Sequence, residues 1–390
     1  MRILLLAPQP FFQERGTPIA IRMLAKALGE NGHEVDLMVY HLGEDVQIPG
    51  CQILRIPKLW FIPKVSIGFS GSKLVCDVFL FFSFLRRVLS HRYDVVHAGE
   101  ESIFFALLIR FVHRAKVVYD MDSSMPDQLI EKWPRLKSIA RLLYAFERRA
   151  IRGSDAVVPV CQALVERAME IKDASSVTLL EDFALSLPGG NDQPVDDLRA
   201  LVDARGPIAL YVGNLEPYQG IDLALDAFSR LGAESSLQLI VIGGSDETVK
   251  YYSDRARNLG IHEQCHFLGS RPVHQLAGYL AQADMLLSPR LKGVNTPMKI
   301  FTYLASARPI LATRILSHTQ VLDESTAVLV AADADAFAEG LSRLRDDPEL
   351  RQRIGAAGQH LADSRYSYER FAATVGELYR SDGPLATTGK

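Results

Sequence analysis

The sequence predicts an α/β protein of two doubly wound domains, each a parallel sheet covered by helices on both faces. Three observations predict it. Short apolar runs alternate with longer helical patterns from one end of the chain to the other. The runs are continuously apolar rather than alternating, as strands buried on both faces require. The series breaks once, at residues 186–207, a polar stretch rich in Gly, Pro and Asp.

In order, the predicted strands cover residues 3–6, 35–39, 95–96, 117–119 and 157–160, then 209–212, 237–242, 285–287, 310–312 and 327–330. Helical patterns between them include 19–31, 136–152, 221–230 and 335–344. The opening run follows one basic residue, is short and lacks a small-residue cleavage site, so it reads as a first strand rather than a signal peptide. The predicted organisation is a domain over 1–185, a linker over 186–206 and a second domain over 207–366. Ligands of such sheets bind at the carboxyl ends of the strands, so two facing domains would form a cleft lined by loops from both.

Composition narrows the class. The 390 residues are 48% apolar and 23% charged, as in soluble globular proteins of two or three domains. A net charge of −3 argues against nucleic acid as a partner. Cys51, Cys76, Cys161 and Cys265 are scattered, with no Cys-x-x-Cys pair, which fits a reducing cytosol. The apolar run at 78–82 falls far short of a membrane span. A metal near Asp120 and Asp122 is possible, but no matching ligand set is evident elsewhere.

The densest chemistry lies at 288–313, SPRLKGVNTPMKIFTYLASARPILAT. It reads as a strand end, a loop, a helix and another strand. Arg290 and Lys292 bring two cations. Gly293, Asn295, Thr296 and Pro297 shape the turn, and Met298 and Lys299 open a helix whose N-terminus favours anions. This is either a diphosphate seat or an ordinary βα loop with surface charges. Gly213 and Asn214, then Gln219 and Gly220, follow another strand, and Gly243 with Gly244 a third. Gly16 precedes a helix after the first strand, in a loop without the spacing of a dinucleotide fingerprint. Asp122, at the end of the 117–119 run, either meets a sugar hydroxyl or caps the next helix. His97 also stands at a strand end.

Together and in this order, these features resemble the retaining glycosyltransferases of the GT-B fold, family 4 type. NGHEVDLMV at 31–39, VGNLEPYQGIDLALDAF at 212–228, VIGGSDE at 241–247, TPMKIFTYLASARPILAT and the ending RYSYERF…LY carry the likeness. It implies two Rossmann-like domains, with a last helix over 367–385 returning to the first. It implies a hexosyltransferase that moves a sugar from a nucleotide-sugar donor, with retention and without metal, to a lipid-linked or glycan acceptor. Asp122, His97 and Gly16 would stand near the transferred sugar. Gly213, Asn214, Gln219, Gly243, Gly244, Arg290, Lys292, Asn295, Thr296, Pro297, Met298, Lys299 and Thr302 would hold the donor.

The likeness also has departures. Asn214 and Gln219 stand where the family places an arginine and a lysine on the diphosphate. Thr302 stands in place of a glutamate, Asp122 in place of a histidine, and no acid matches near Val294. Arg290 and Lys292 are expected to supply the missing charge, and Thr302 to bond a ribose hydroxyl. A catalytically silent homologue and a sugar-nucleotide epimerase remain as alternatives.

Residues 51–93 hold seven cations, Arg55, Lys58, Lys64, Lys73, Arg86, Arg87 and Arg92, against one acid, Asp77. Trp60, Phe61 and several phenylalanines are interleaved. The mixture suits an anionic membrane surface, hence a peripheral protein at the inner face of the plasma membrane. Alternatively, the 78–85 aromatics belong to a buried helix.

Overall fold

A computed structural model describes residues 1–13, 16–65, 70–185, 195–232, 235–380 and 385. The chain divides into two compact units, Met1–Glu181 with Glu369–Lys390, and Asp182–Tyr368. Each is built on a six-stranded, all-parallel sheet.

The first sheet contains β1 (Arg2–Leu6), β2 (Glu34–Val39), β3 (Cys51–Arg55), β4 (Val95–Gly99), β5 (Lys116–Met121) and β6 (Ala156–Pro159), in the order β3-β2-β1-β4-β5-β6. The second contains β7 (Ile208–Val212), β8 (Gln238–Ile242), β9 (Cys265–Phe267), β10 (Met285–Ser288), β11 (Ile310–Thr313) and β12 (Val328–Val330), in the order β12-β11-β10-β7-β8-β9. Renumbered within its unit, the second sheet repeats the order of the first. Both are doubly wound, Rossmann-like sheets.

The continuous apolar runs have a direct cause. Ala209, Tyr211, Leu239, Val241, Leu287 and Leu311 pack into one core. Their neighbours Ile208, Leu210, Ile240, Ile242, Leu286 and Ile310 pack into a second. Successive residues of a strand point to opposite faces, so a sheet covered on both sides needs an apolar residue at every position.

All ten predicted strands are present. Two further strands, β3 and β9, lie at sheet edges. Of the predicted linker, 186–194 lies outside the described residues. The rest carries a short helix, Leu198–Leu201, capped by Asp197 and anchored by the fully buried Leu198. The last helix is Tyr368–Leu378, and residues 381–384 of the predicted one lie outside the described residues.

Candidate functional site

In each sheet the winding reverses between two central strands, β1 and β4 in the first and β7 and β10 in the second. A doubly wound sheet binds its ligands beside the carboxyl ends of such strands. In the second unit this place is framed by the loops leaving β7, β8 and β10.

These loops touch backbone to backbone. The Gly213 N–H donates to Ile242 O at 3.0 Å. Gly243 follows β8 with φ of 122°, and a Cβ on it would lie 2.0 Å from Gly213 O, so only glycine fits. Gly244 is next, and the Ser270 hydroxyl donates to its carbonyl at 3.0 Å. The 3-10 turn Pro217–Gln219 ends at Gly220, φ 77°, where a Cβ would lie 1.9 Å from Pro289 O. Leu291 N–H donates to Tyr218 O at 2.9 Å, joining this turn to the loop after β10. Asn214 is exposed, and its Oδ1 accepts the Glu216 N–H at 3.5 Å.

The loop after β10 is braced from within. Arg290 is 8% exposed. Its Nε donates to Lys292 O at 2.5 Å, and its Nη atoms donate to the carbonyl and side-chain oxygens of Asn295 at 3.3 Å. Its guanidinium also lies 5.4 Å from the centre of the Tyr218 ring. The expectation that Arg290 offers its charge to a ligand is therefore revised: the side chain is committed to holding its own loop. Lys292 is exposed.

Sequence reasoning missed a second brace, His318. Its Nε2 faces Ser288 Oγ at 2.9 Å and its Nδ1 lies 2.7 Å from Thr313 O, while the Thr313 hydroxyl donates to Arg290 O. Burial pushes this imidazole down to about 4, so the neutral ring donates through Nδ1 and accepts through Nε2. Ser288 and Thr313 end two strands that are distant in sequence and His318 stands on the short helix Leu316–Thr319, so no local pattern announces the contact.

Three loop and helix residues stand out by what their buried atoms lack. Gln219 Oε1, Thr296 Oγ1 and Lys299 Nζ are sealed from solvent without a hydrogen-bond partner. A buried neutral group left so costs about 1–3 kcal/mol, and an ammonium several kcal/mol. Lys299 Nζ lies 3.8 Å from the centre of the Tyr211 ring, a cation–π contact that recovers about 1–2 kcal/mol. Burial, and then the charge of Arg290, hold its proton affinity well below that of an ordinary lysine. Pro297 is buried at the N-cap of the helix Met298–Ala305, and Met298 is half-buried. Thr302 is turned into the protein: it is 7% exposed, and its hydroxyl oxygen accepts the Leu185 N–H at 3.3 Å. The ribose contact expected of Thr302 is corrected accordingly.

At the carboxyl edge of the first sheet the expected trio is not brought together. His97 is fully buried in β4, with Nδ1 against the Tyr379 hydroxyl and Nε2 3.2 Å from Asp120 Oδ2. It belongs to the packing of the last helical segment, and its expected place beside a sugar is corrected by this burial. Asp122 is half-buried just past β5. The cap of the following helix, Met125–Lys132, is Ser124, whose side chain accepts the Asp127 N–H. Gly16 opens the helix Gly16–Glu30 and is exposed, with nothing within 4 Å of an added Cβ.

An unpredicted polar cluster lies beside β4. Lys73 Nζ is 2.5 Å from Glu100 Oε2 and 2.9 Å from Glu101 Oε1, and the Tyr40 hydroxyl donates to Asp77. Burial pushes the Glu101 carboxyl up to about 8 and that of Asp77 up to about 6.

The first unit also carries an exposed apolar face. On the helix Gly71–Ser90, Leu74, Val78, Phe82 and Leu89 are exposed while Leu80 and Phe84 are buried, so only its inner face is core. Trp60, 84% exposed, and Phe61 precede it. Ring contacts continue the face: Phe81 meets Phe105 at 5.6 Å, and Phe104 meets Phe146 at 6.2 Å. Phe146 and Leu142 are exposed on the helix Ala140–Gly153, beside exposed Arg141, Arg148 and Arg149. Lys58, Lys64, Arg86 and Arg92 are exposed as expected. Arg87 and Lys73 are not surface charges: Arg87 pairs with the buried Asp36 at 2.7 Å, and Lys73 with its two glutamates. Arg55 is likewise held by Asp45 and by carbonyls.

Comparison with known proteins follows the same division. A family model described as glycosyl transferases group 1 matches residues 197–361, and one described as glycosyl transferase 4-like domain matches 15–178. The chain is 25% identical to an MMP alpha-(1->4)-mannosyltransferase of Mycolicibacterium hassiacum, covering 97% of this chain and 98% of that one. Among solved structures it is similar to a sucrose-phosphate synthase from Thermosynechococcus elongatus (TM-score 0.77, 21% identity, 97% and 98% of the two chains). It is also similar to HepE of Anabaena in complex with UDP (TM-score 0.72, 15% identity, 97% and 99%). No helix among the described residues is long and apolar enough to cross a membrane.

Proposed function

The chain belongs to the group 1 glycosyltransferases of GT-B fold, which makes it a nucleotide-sugar-dependent transferase, and from that premise we propose that it moves a hexose-type sugar to a lipid-linked or glycan acceptor in envelope polysaccharide or glycolipid synthesis. The observation that carries the donor side is the trio of unpartnered buried atoms on Gln219, Thr296 and Lys299, clustered on the loops of one switch point. A bound ligand would supply the partners these groups lack. The UDP held by HepE supports a nucleotide as that ligand.

We assign the reaction to retention without a metal. The acceptor oxygen reaches the anomeric carbon from the face that the diphosphate leaves, as that bond breaks, and a diphosphate oxygen takes the acceptor's proton. The residues then position the donor and stabilise the leaving charge. Asp122 and Gly16 are the residues we place on the acceptor side. The apolar, cationic face around Phe82 and Phe146 supports an acceptor embedded in an anionic membrane, with the protein peripheral on its cytoplasmic side.

The test is thermal-shift binding against UDP-, GDP-, ADP- and dTDP-sugars, followed by transfer to added acceptors. One stabilising donor and a transferred sugar are expected. Donor binding without transfer to any acceptor would favour a silent homologue, for which the loss of charge at Asn214 and Gln219 speaks. Epimer formation without acceptor would favour an epimerase.

A further inference from the structure

The donor reading leaves open which group meets the diphosphate, because Asn214 is an exposed turn residue and Arg290 is bound into its own loop. Lys299 answers that question by geometry. Its Nζ is sealed and without a hydrogen-bond partner, and no carboxylate among the described residues pairs with it. The ammonium rests on the Tyr211 ring at 3.8 Å. Gly213 is beside both, since an added Cβ there would come within 3.2 Å of Nζ and 3.1 Å of the Tyr211 hydroxyl. The charge therefore stands against bare backbone at the end of β7. It also stands at the start of the helix Met298–Ala305, whose first turn has no side-chain cap. The ionisable groups acting there are Tyr211, Arg290 and the neutral His318, none of them an anion.

A buried cation with no counter-ion is stable only if something else compensates it. Resting on the donor reading, we propose that Lys299 is the diphosphate seat of this chain, filling from the helix the role that Asn214 and Gln219 leave empty. The anion arrives as the missing counter-ion, between the ammonium, the helix N-terminus and the loop braced by Arg290. Because burial and Arg290 weaken the hold of Lys299 on its proton in the empty protein, a bound diphosphate strengthens that hold. Affinity for the diphosphate then falls as pH rises.

The experiment compares wild type, Lys299→Met and Lys299→Arg with nucleoside diphosphates, the matching uncharged nucleosides and inorganic pyrophosphate, by calorimetry across pH. Lys299→Met is expected to weaken diphosphate binding by about ten- to a hundredfold, the loss of one charge-assisted contact, and to leave nucleoside affinity unchanged. Lys299→Arg is expected to retain most of the affinity and to flatten the pH dependence. The ligand-free Lys299→Met protein is expected to melt at or above the wild-type temperature, since an uncompensated buried charge has been removed. A lysine kept for structure alone would lower the melting temperature instead, which overturns the proposal. Wild-type diphosphate affinity in Lys299→Met overturns it as well, as does a wild type that binds neither nucleotide nor pyrophosphate. Lys299-dependent binding of pyrophosphate with no binding of any nucleotide would uphold the anion seat and remove the nucleotide-sugar reading.

Discussion

The hydroxyl of Tyr379 closes onto Nδ1 of His97 across 282 positions of sequence. The contact lies inside the first unit and ties the segment after the helix Tyr368–Leu378 to β4. Both side chains are buried and their rings stack, with centroids 6.2 Å apart. Tyr379→Phe keeps the packing but leaves a buried imidazole nitrogen unsatisfied. It should lower the stability of the first unit by about 1–3 kcal/mol, read as an earlier urea transition, with nucleotide affinity unchanged. A loss of nucleotide affinity with no change in unfolding would return His97 to the ligand site.

How far the sequence announced this architecture depends on what each residue touches. Ten strands were legible because both faces of each are covered, so the apolar run is unbroken. β3 and β9 were not: Gln52 of CQILR faces solvent and His266 of CHF is only partly buried, so a polar residue breaks each apolar run. The candidate site at the second sheet's edge was legible through glycines at strand ends, where Gly243 and Gly220 meet carbonyls too closely for any Cβ. The direction in which each charge faces was not. Arg87 and Lys73 count as surface cations in a linear tally, yet their partners Asp36, Glu100 and Glu101 lie on other elements. The roles of Arg290 and Lys299 are separated only by which of them finds oxygen atoms nearby.

The glycines divide by the same criterion. Gly243→Ala places a methyl 2.0 Å from Gly213 O at a φ of 122°. It should displace the loop, cost stability and weaken donor binding at least tenfold. Gly16→Ala meets open space and should change stability by less than about 0.5 kcal/mol. Sugar transfer measured on Gly16→Ala then isolates the ligand: lost activity in a protein of unchanged melting temperature assigns Gly16 to substrate approach, and full activity removes it from the site.

Phe82 and Phe146 are predicted to insert into the membrane boundary, with Arg141, Arg148 and Arg149 facing anionic headgroups. Each cation near such a surface contributes about 1 kcal/mol, screened over about 8–10 Å at physiological salt. Flotation with phosphatidylglycerol vesicles should recover the wild type at low salt and lose it as salt rises. Changing the three arginines to glutamate should abolish recovery, and Phe82→Asp with Phe146→Asp should reduce it at every salt concentration. Equal recovery with neutral and anionic vesicles would refute the electrostatic part of the assignment.

The cluster of Lys73, Glu100, Glu101, Asp77 and Tyr40 predicts a pH dependence of stability. Burial raises the Glu101 carboxyl from 4.5 to about 8, so near pH 6 the folded chain holds a proton that the unfolded chain has released. Folding then takes up protons, and stability falls as pH rises from about 4.5 to about 8, levelling off above. Asp77, raised to about 6, acts in the same direction over a lower window. Lys73 is raised above its ordinary value by its two glutamates, so its contribution is complete throughout this range and is lost only at more alkaline pH. Glu101→Gln removes the titrating group and retains a side chain that accepts from Lys73. The variant should therefore gain on the wild type steadily between pH 5 and pH 8 in melting temperature. Parallel profiles for the two proteins would show that Glu101 is ionised in the folded state at neutral pH and that Lys73 compensates it fully.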